Sequence, residues 1–553
     1  GVRGGEARGG GVREEERRQR QVCIRESNGP FTFAPDGNPL VGPVPGLTNY
    51  WSACAVMAGF SQGGGVGLAL ANWMVDGDPG FDIFAMDVAR YGEWATLRYT
   101  NAKVRENYSR RFSISYPNEE LPAARPQQTT PLYDVMKDQN HAVMGDTWGL
   151  ETPLWFAPSN DEAHDVLSFH HSNDFEHIAA EVASVRNSVG ITEISNFAKY
   201  EFTGAGAEAF LDHLMTNTMP KEGRIVLTPM LNENGKLIGD FTIAKAGPER
   251  FVMFGSLGAT KYHMRWFEQH QRTDGTVTIR RLDMSLQGLS IAGPNSRKVL
   301  EKLVDADVSN AAFKFMDFRE MDVNGAPCMI NRISYTGDLG YEIWVSPEYQ
   351  RRVYDGLKQA GAEFNIRDFG MRALLSMRLE KNFPTWFAEL RPIYGPFEGA
   401  MERFIKLNNS DFIGRAAATQ ELAKGPKLRR TSFIISAGTC DVMGDEPIWA
   451  KTSKTFDTID PPHGHGAPRF DADGTEITGV NPQRDGDWQV IGWVTSGGFG
   501  HSVGASMAQG YIPTDMSELT SEGMFEIEIL GERRAAKIAI DAPFDPMGER
   551  MRG

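Results

Sequence analysis

The spacing of apolar positions changes along the chain, and each change predicts a different element. Between Gly29 and Phe60, "GPFTFAPDGNPLVGPVPGLTNYWSACAVMAGF" sets short apolar runs between Pro/Gly turns, a pattern of strands and tight turns. The glycines of "GFSQGGGVG" (59–67) predict a tight turn, and "VGLALANWMVD" (66–76) carries the spacing of a helix behind it. "PNEELPAARPQQTTP" (117–131) is polar and proline-rich, a connector or small bridging unit. From about 132 to 410 strand and helix patterns alternate. "KYEFTGAGAEAFLDHLM" (199–215) reads strand, Gly turn, helix; "TPMLNENGKLIGDFTIAK" (228–245) reads strand, Asn-Gly turn, strand. A boundary falls near "KGPKLRRTSF" (424–433). Beyond it, "WQVIGWVTSGGFG" and "MFEIEILGERRAAKIAI" alternate and are β-branched, which predicts a small antiparallel barrel.

Composition narrows the class. The chain has 553 residues, enough for three or four domains, with 41% hydrophobic and 23% charged residues, as in a globular protein. Residues 1–20 are nearly all Gly, Arg and Glu, cannot bury an apolar face, and are expected to be disordered. The net charge of −15 argues against nucleic acid as a partner, because phosphate neutralisation needs clustered Lys and Arg. The longest apolar stretch, Tyr50 to Val75, is interrupted by Ser61, Gln62, Asn72 and glycines, so no membrane span is expected. Cys23, Cys54, Cys328 and Cys440 are widely spaced without a CxxC, as expected of reduced thiols in a cytoplasmic or mitochondrial-matrix setting. The His170–His171 pair and His463/His465 lack a second cluster at zinc-ligand spacing, so no metal is expected. Ser496 and His501 have no GxSxG around them and do not form a nucleophile elbow.

Two stretches carry candidate chemistry. Asp240 sits inside the run Leu237, Ile238, Phe241, Ile243. A carboxylate there is costly unless it is hydrogen-bonded or partly wet, or unless alternation simply turns it to water. In "RISYTGDLGYEIWV" (332–345), Tyr335 and Glu342 are seven apart and would face opposite sides of a straight strand, but the glycines of "TGDLG" let the chain bend. By spacing alone this is an ordinary hairpin. The glycines at 63–67 do not spell GxGxxG, so the dinucleotide fingerprint is absent there. They fit either a plain turn before a packed helix or a turn whose N–H groups face a flavin.

Taken together, these stretches resemble the dimethylglycine/sarcosine dehydrogenase family. "FAPDGNPLVGPVPGLTNYWSACAVMAGFSQGGGVGLALANWM" (33–74) is similar to the C-terminal end of its FAD-dependent oxidoreductase domain, and the rest, to about residue 550, to its bridging domain, glycine-cleavage T-protein-like unit and barrel. The resemblance implies an α+β, multidomain chain: a T-protein-like aminomethyltransferase fold with a C-terminal antiparallel β-barrel and a truncated flavoprotein segment at the N-terminus. The boundaries it implies are a disordered extension at 1–24, an oxidoreductase remnant at 25–82, a bridging domain at 83–131, a folate-binding domain at 132–423 and the barrel at 424–553. The family's part that holds the ADP of FAD has no counterpart in the sequence, so FAD is expected only if that half is supplied, for instance by a flavin-binding partner subunit.

The family motif "MLN…GG…DD" places its catalytic aspartate on Asp240, with Gly239 replacing the preceding aspartate. The same resemblance gives Tyr335 and Glu342 as pterin contacts and Arg378, of the "RLE" at 378–380, as a folate contact. The position of a further folate-contacting arginine holds Leu374, with Arg372 displaced by two, so a partnership of Arg378 with Glu380 or another carboxylate is the other role open to it. Gly59, Ser61 and Gly63 are the flavin-facing candidates. The implied reaction moves the carbon of an oxidised N-methylamine, an iminium ion, or of formaldehyde, onto tetrahydrofolate to give 5,10-methylenetetrahydrofolate. The alternatives are a non-catalytic folate-binding or assembly subunit of a split flavin dehydrogenase, and a folate-dependent S- or O-demethylase.

Overall fold

The computed structural model describes residues 31–408, 411–454, 456 and 484–553. The Gly/Arg/Glu-rich start, Cys23 and the His463/His465 pair lie outside the described residues.

The chain first forms a two-stranded hairpin, Leu40–Pro43 with Trp51–Cys54, covered by a helix over Gly59–Asp76. This corrects the predicted turn at the glycines: Gly63, Gly64, Gly65 and Gly67 lie inside the helix, which starts at Gly59 rather than at 66. Each helical glycine costs roughly 1 kcal/mol against alanine. Val66, Ala69, Leu70 and Trp73 offset that cost by packing with Val41 and Ile83. Gly42 makes the close approach possible. Its φ is +112°, and a Cβ there would stand 2.6 Å from the Trp73 ring.

The following segment holds a helix at Leu97–Arg110, whose first turn is capped by Thr96 Oγ1 accepting from Tyr99 N–H at 3.4 Å. Buried ion pairs fasten this segment to the rest. Arg265 donates to both oxygens of Asp87 at 3.0 and 2.6 Å, and Arg125 to both oxygens of Glu151 at 2.8 and 2.7 Å.

Two sheets form the centre. One has five strands in the order Thr278–Arg281, Phe197–Thr203, Arg250–Ser256, Leu237–Gly247, Ile225–Leu231, all antiparallel neighbours. The other has six, Phe318–Val323, Ala326–Asn331, Gly340–Val345, Gln287–Ala292, Gly190–Glu193 and Arg367–Asp368. Along Leu237–Gly247, Phe241 and Ile243 enter a core with Phe210, Leu211 and Phe267, from helices Ala207–Leu214 and Thr260–His270. Period-two alternation therefore turns Asp240 and Thr242 to the opposite face, where both are half-buried.

After the helix Met371–Glu380 and the helix Arg415–Lys424, the chain makes the predicted barrel. Its strands run in the order Pro447–Lys451, Phe525–Ile529, Glu532–Ala539, Leu428–Ile435, Ala505–Pro513, Trp488–Gly500, and the last pairs back with the first, closing a ring around Phe433, Ile448, Ile491, Ala508 and Ile527. Closure removes the exposed sheet edges. The fold is α+β and multidomain, with the C-terminal antiparallel barrel in place. Among the described residues no helix is long and apolar enough to cross a membrane.

Candidate active site

The second face of the five-stranded sheet meets the six-stranded sheet at Trp344, against which both Phe197 and Phe254 pack. Phe254 stacks on Trp344 with ring centroids 4.4 Å apart and planes 24° apart. Phe254 is the register partner of Thr242, and Asp240 is two residues further along the same strand. Glu342 precedes Trp344 by two residues on Gly340–Val345. Residues two apart on a strand share a face. Asp240 and Glu342 therefore lie on different sheets, each on the face that carries one ring of the Phe254–Trp344 stack.

Tyr335 arrives from the bend between Ala326–Asn331 and Gly340–Val345. Gly337 sits in that bend at φ +85°, with the Lys381 side chain 2.5 Å from where a Cβ would be, so the turn needs glycine. The Tyr335 hydroxyl donates to Pro384 O at 2.7 Å, and its ring stacks on Phe383 at 5.8 Å. Its phenol is pushed well up by burial, with Arg378 opposing and the charges of Glu389 and Asp240 adding to the rise, so all four side chains lie in one electrostatic neighbourhood.

The carboxyl groups differ in how they are supported. Burial pushes Asp240 up to about 6, its own backbone N–H opposes, and the charge of Glu389 adds to the rise. No other side chain among the described residues hydrogen-bonds to it. Burial pushes Glu342 up to about 7, against the Asn331 amide, which donates to Oε2 at 3.3 Å. Asp240, Tyr335 and Glu342 all keep some accessible surface. A group that is wet yet strongly desolvated meets its water in a confined crevice rather than on an open face.

Arg378 is 3% exposed and paired inward. It donates to Glu389 Oε2 at 3.1 Å, to Phe383 O at 3.1 Å and to Ser496 Oγ at 2.7 Å. Its ion-pair partner is thus Glu389, whereas Glu380 pairs with Arg186 at 2.6 Å. Glu389 is fully buried; burial works to raise it, but Arg378, Ser496 and the Thr385 N–H, which donates at 2.9 Å, hold it below the usual carboxylate range. Glu389 is a site residue that the sequence reading missed. The signal was present: an acid inside the apolar run "TWFAEL", the same anomaly that marked Asp240.

Gly59, Ser61 and Gly63 lie elsewhere, on the exposed first turns of the Gly59–Asp76 helix, which packs on the N-terminal hairpin. That helix start has no side-chain cap and no acidic residue in its first turn.

A profile for the GCVT N-terminal domain matches residues 132–409, one for the FAD dependent oxidoreductase central domain matches 76–130, and one for the glycine cleavage T-protein C-terminal barrel domain matches 433–545. Mitochondrial dimethylglycine dehydrogenase of Mus musculus is 34% identical over a match that takes in 93% of this chain and 55% of that protein. Mitochondrial sarcosine dehydrogenase of the same species is 28% identical, with 95% of this chain and 58% of that protein matched. The chain thus spans a little over half the length of these relatives. The crystal structure of the glycine cleavage system aminomethyltransferase T from Bartonella henselae shares the fold, with a TM-score of 0.58 at 21% identity over 76% of this chain and 98% of that one.

Proposed function

The chain belongs to the GCVT aminomethyltransferase family and resembles its dimethylglycine/sarcosine dehydrogenase branch, and from that premise we propose that it transfers one carbon from an oxidised N-methylamine to tetrahydrofolate. The arrangement that supports this reading is that Asp240 and Glu342, both desolvated yet only partly covered, stand on the faces of two sheets that are joined by the Phe254–Trp344 stack.

The residues present fit a reduced pterin. Glu342 accepts from the Asn331 amide and retains lone-pair capacity for the paired N–H donors of a pterin edge. Tyr335 has committed its proton to Pro384 O and offers its oxygen lone pairs and ring. Tetrahydrofolate, when bound, supplies the nitrogen nucleophiles that take up the carbon.

Asp240 does the rest. The incoming carbon belongs to an iminium cation, and a fixed anion at roughly 4 Å with an effective dielectric near 20 contributes about 4 kcal/mol of attraction. Its position is set by a strand whose other face is locked into the core by Phe241 and Ile243, so no reorganisation is needed as the reaction proceeds. A carboxyl that titrates at about 6 also holds the proton released as the second nitrogen closes on the carbon. The amine leaves with the electron pair of its C–N bond.

We assign the preceding amine oxidation to a flavin unit acting with this chain. The match of 76–130 to the FAD dependent oxidoreductase central domain supports it, and Gly59, Ser61 and Gly63 are the backbone positions proposed to face that flavin.

The test is the formation of 5,10-methylenetetrahydrofolate from formaldehyde and tetrahydrofolate, measured above the uncatalysed condensation. Asp240→Asn should lose at least about 100-fold in that enzymatic rate while tetrahydrofolate still quenches the protein's fluorescence. An unchanged rate in the variant removes Asp240 from catalysis. Absence of tetrahydrofolate binding in the unmodified chain removes the reading itself.

A further inference from the structure

The His170–His171 pair is left unused by the folate site. The two histidines border a cleft of about 200 Å³ at the seam between the central domain and the barrel, and none of Asp240, Tyr335 or Glu342 lines it. We propose that this cleft binds a small organic cation carrying N-methyl groups, held against the rings of His171, Phe175, Phe499 and His501 and drawn in by the carboxylate of Asp441.

The rings form one connected cluster. His171 lies face to face with Phe175 at 3.9 Å, Phe499 stands against Phe175 at 5.0 Å and 65°, and His501 lies 4.8 Å from Phe175 and 5.1 Å from Phe499. All four are half-buried, with surface left open to the cleft, unlike the sealed cluster of Tyr200, Phe202 and Phe267 in the core. Aromatic faces attract a methylated ammonium by their quadrupoles, and they do so more strongly as water is excluded. Burial, with the nearby His171 adding to it, pushes His501 down to about 4, so this ring is neutral at pH 7 and does not repel a cation.

The charges agree with the rings. Arg372 is held between Asp165 and Asp174 at 2.7 Å each, and His171 Nε2 meets Asp441 Oδ2 at 2.8 Å. Even with His171 protonated, three carboxylates face two cations. Among the described residues Asp441 Oδ1 has no hydrogen-bond partner, so part of that carboxylate's charge is uncompensated. A metal does not explain the arrangement: among the described residues no three His, Cys, Asp or Glu side chains converge to hold one. The cleft's occupant is also independent of the folate reading, since Asp240, Tyr335, Glu342 and Arg378 are all absent from its lining.

Calorimetry on the full chain with choline chloride, at constant ionic strength against sodium chloride, tests the proposal. The neutral carbon isostere 3,3-dimethylbutan-1-ol serves as control. We expect saturable one-site binding of choline, at least about tenfold tighter than the isostere. Phe499→Leu and Asp441→Asn should each weaken it about fivefold or more, and Phe499→Tyr should keep it. Circular dichroism melts confirm that the variants fold. Absence of saturable heat up to about 10 mM choline overturns the proposal. So does equal binding of the isostere, or choline affinity unchanged in both weakening variants.

Discussion

Burial pushes the Asp240 carboxyl up to about 6 from its ordinary 3.8, with the charge of Glu389 adding to it, so the folded chain holds that proton more tightly than the unfolded one. The sign follows. Below the ordinary value the group is protonated in both states and costs nothing; as pH rises through about 6 the folded state must carry a desolvated charge, and stability is lost. Asp240→Asn should therefore raise the unfolding free energy measured in urea at pH 7.5 by about 1–2 kcal/mol once partial exposure is discounted, and the gain should shrink as the pH is lowered to 5. Catalysis should run the opposite way. If the ionised carboxylate is the working form, kcat/KM falls as pH drops through about 6, and a pH–rate profile without that limb would contradict the role. The sequence marked this residue by an acid inside an apolar strand, but alternation alone allowed it to face open water. What desolvates it is tertiary packing, which brings Glu389 near from far along the chain.

Strands and turns followed their local patterns closely. The predicted strand–turn–strand over 228–245 appears as Ile225–Leu231 and Leu237–Gly247, with Gly235 at φ +72° in the turn. The glycines of 59–67 did not follow theirs, because glycine permits a turn without requiring one, and packing of Val66, Ala69 and Trp73 extends the helix back through them. That helix depends on a missing side chain in the hairpin beneath it. Gly42→Ala would place a Cβ 2.6 Å from Trp73 at a φ that disfavours any side chain. We expect faster hydrogen exchange across 59–76 in that variant, with exchange in the barrel strands unchanged; equal exchange in the helix would show that Trp73 swings aside at no cost.

At the scale of the whole molecule, buried ion pairs join the units. Arg265–Asp87 ties the stretch around Asp87 to the Thr260–His270 helix, and Arg186–Glu380 anchors the Met371–Glu380 helix. Arg378–Glu389 joins that helix, the loop over Tyr335 and, through Ser496, the barrel. Removing one member strands the other charge. Arg378→Met should cost about 3–5 kcal/mol in urea unfolding, and the double variant Arg378→Met/Glu389→Leu should recover much of it. The double variant also separates the two roles open to Arg378. Tetrahydrofolate affinity within about twofold of the original identifies an internal anchor, and a loss beyond about tenfold identifies a folate contact.

The sequence by itself determined the kinds of element and their order, since period-two and helical patterns are local and each is set by residues a few places apart. It also fixed which residues were anomalous: an acid in an apolar strand, an acid and a tyrosine flanking a glycine bend. Only the tertiary structure decided which of these meet. The faces that carry Asp240 and Glu342 are joined where Phe254 stacks on Trp344, and Arg378 turns inward because Glu389 lies beside it. Burial and charge pairing belong to neighbours far apart in the chain, so no local pattern carries them.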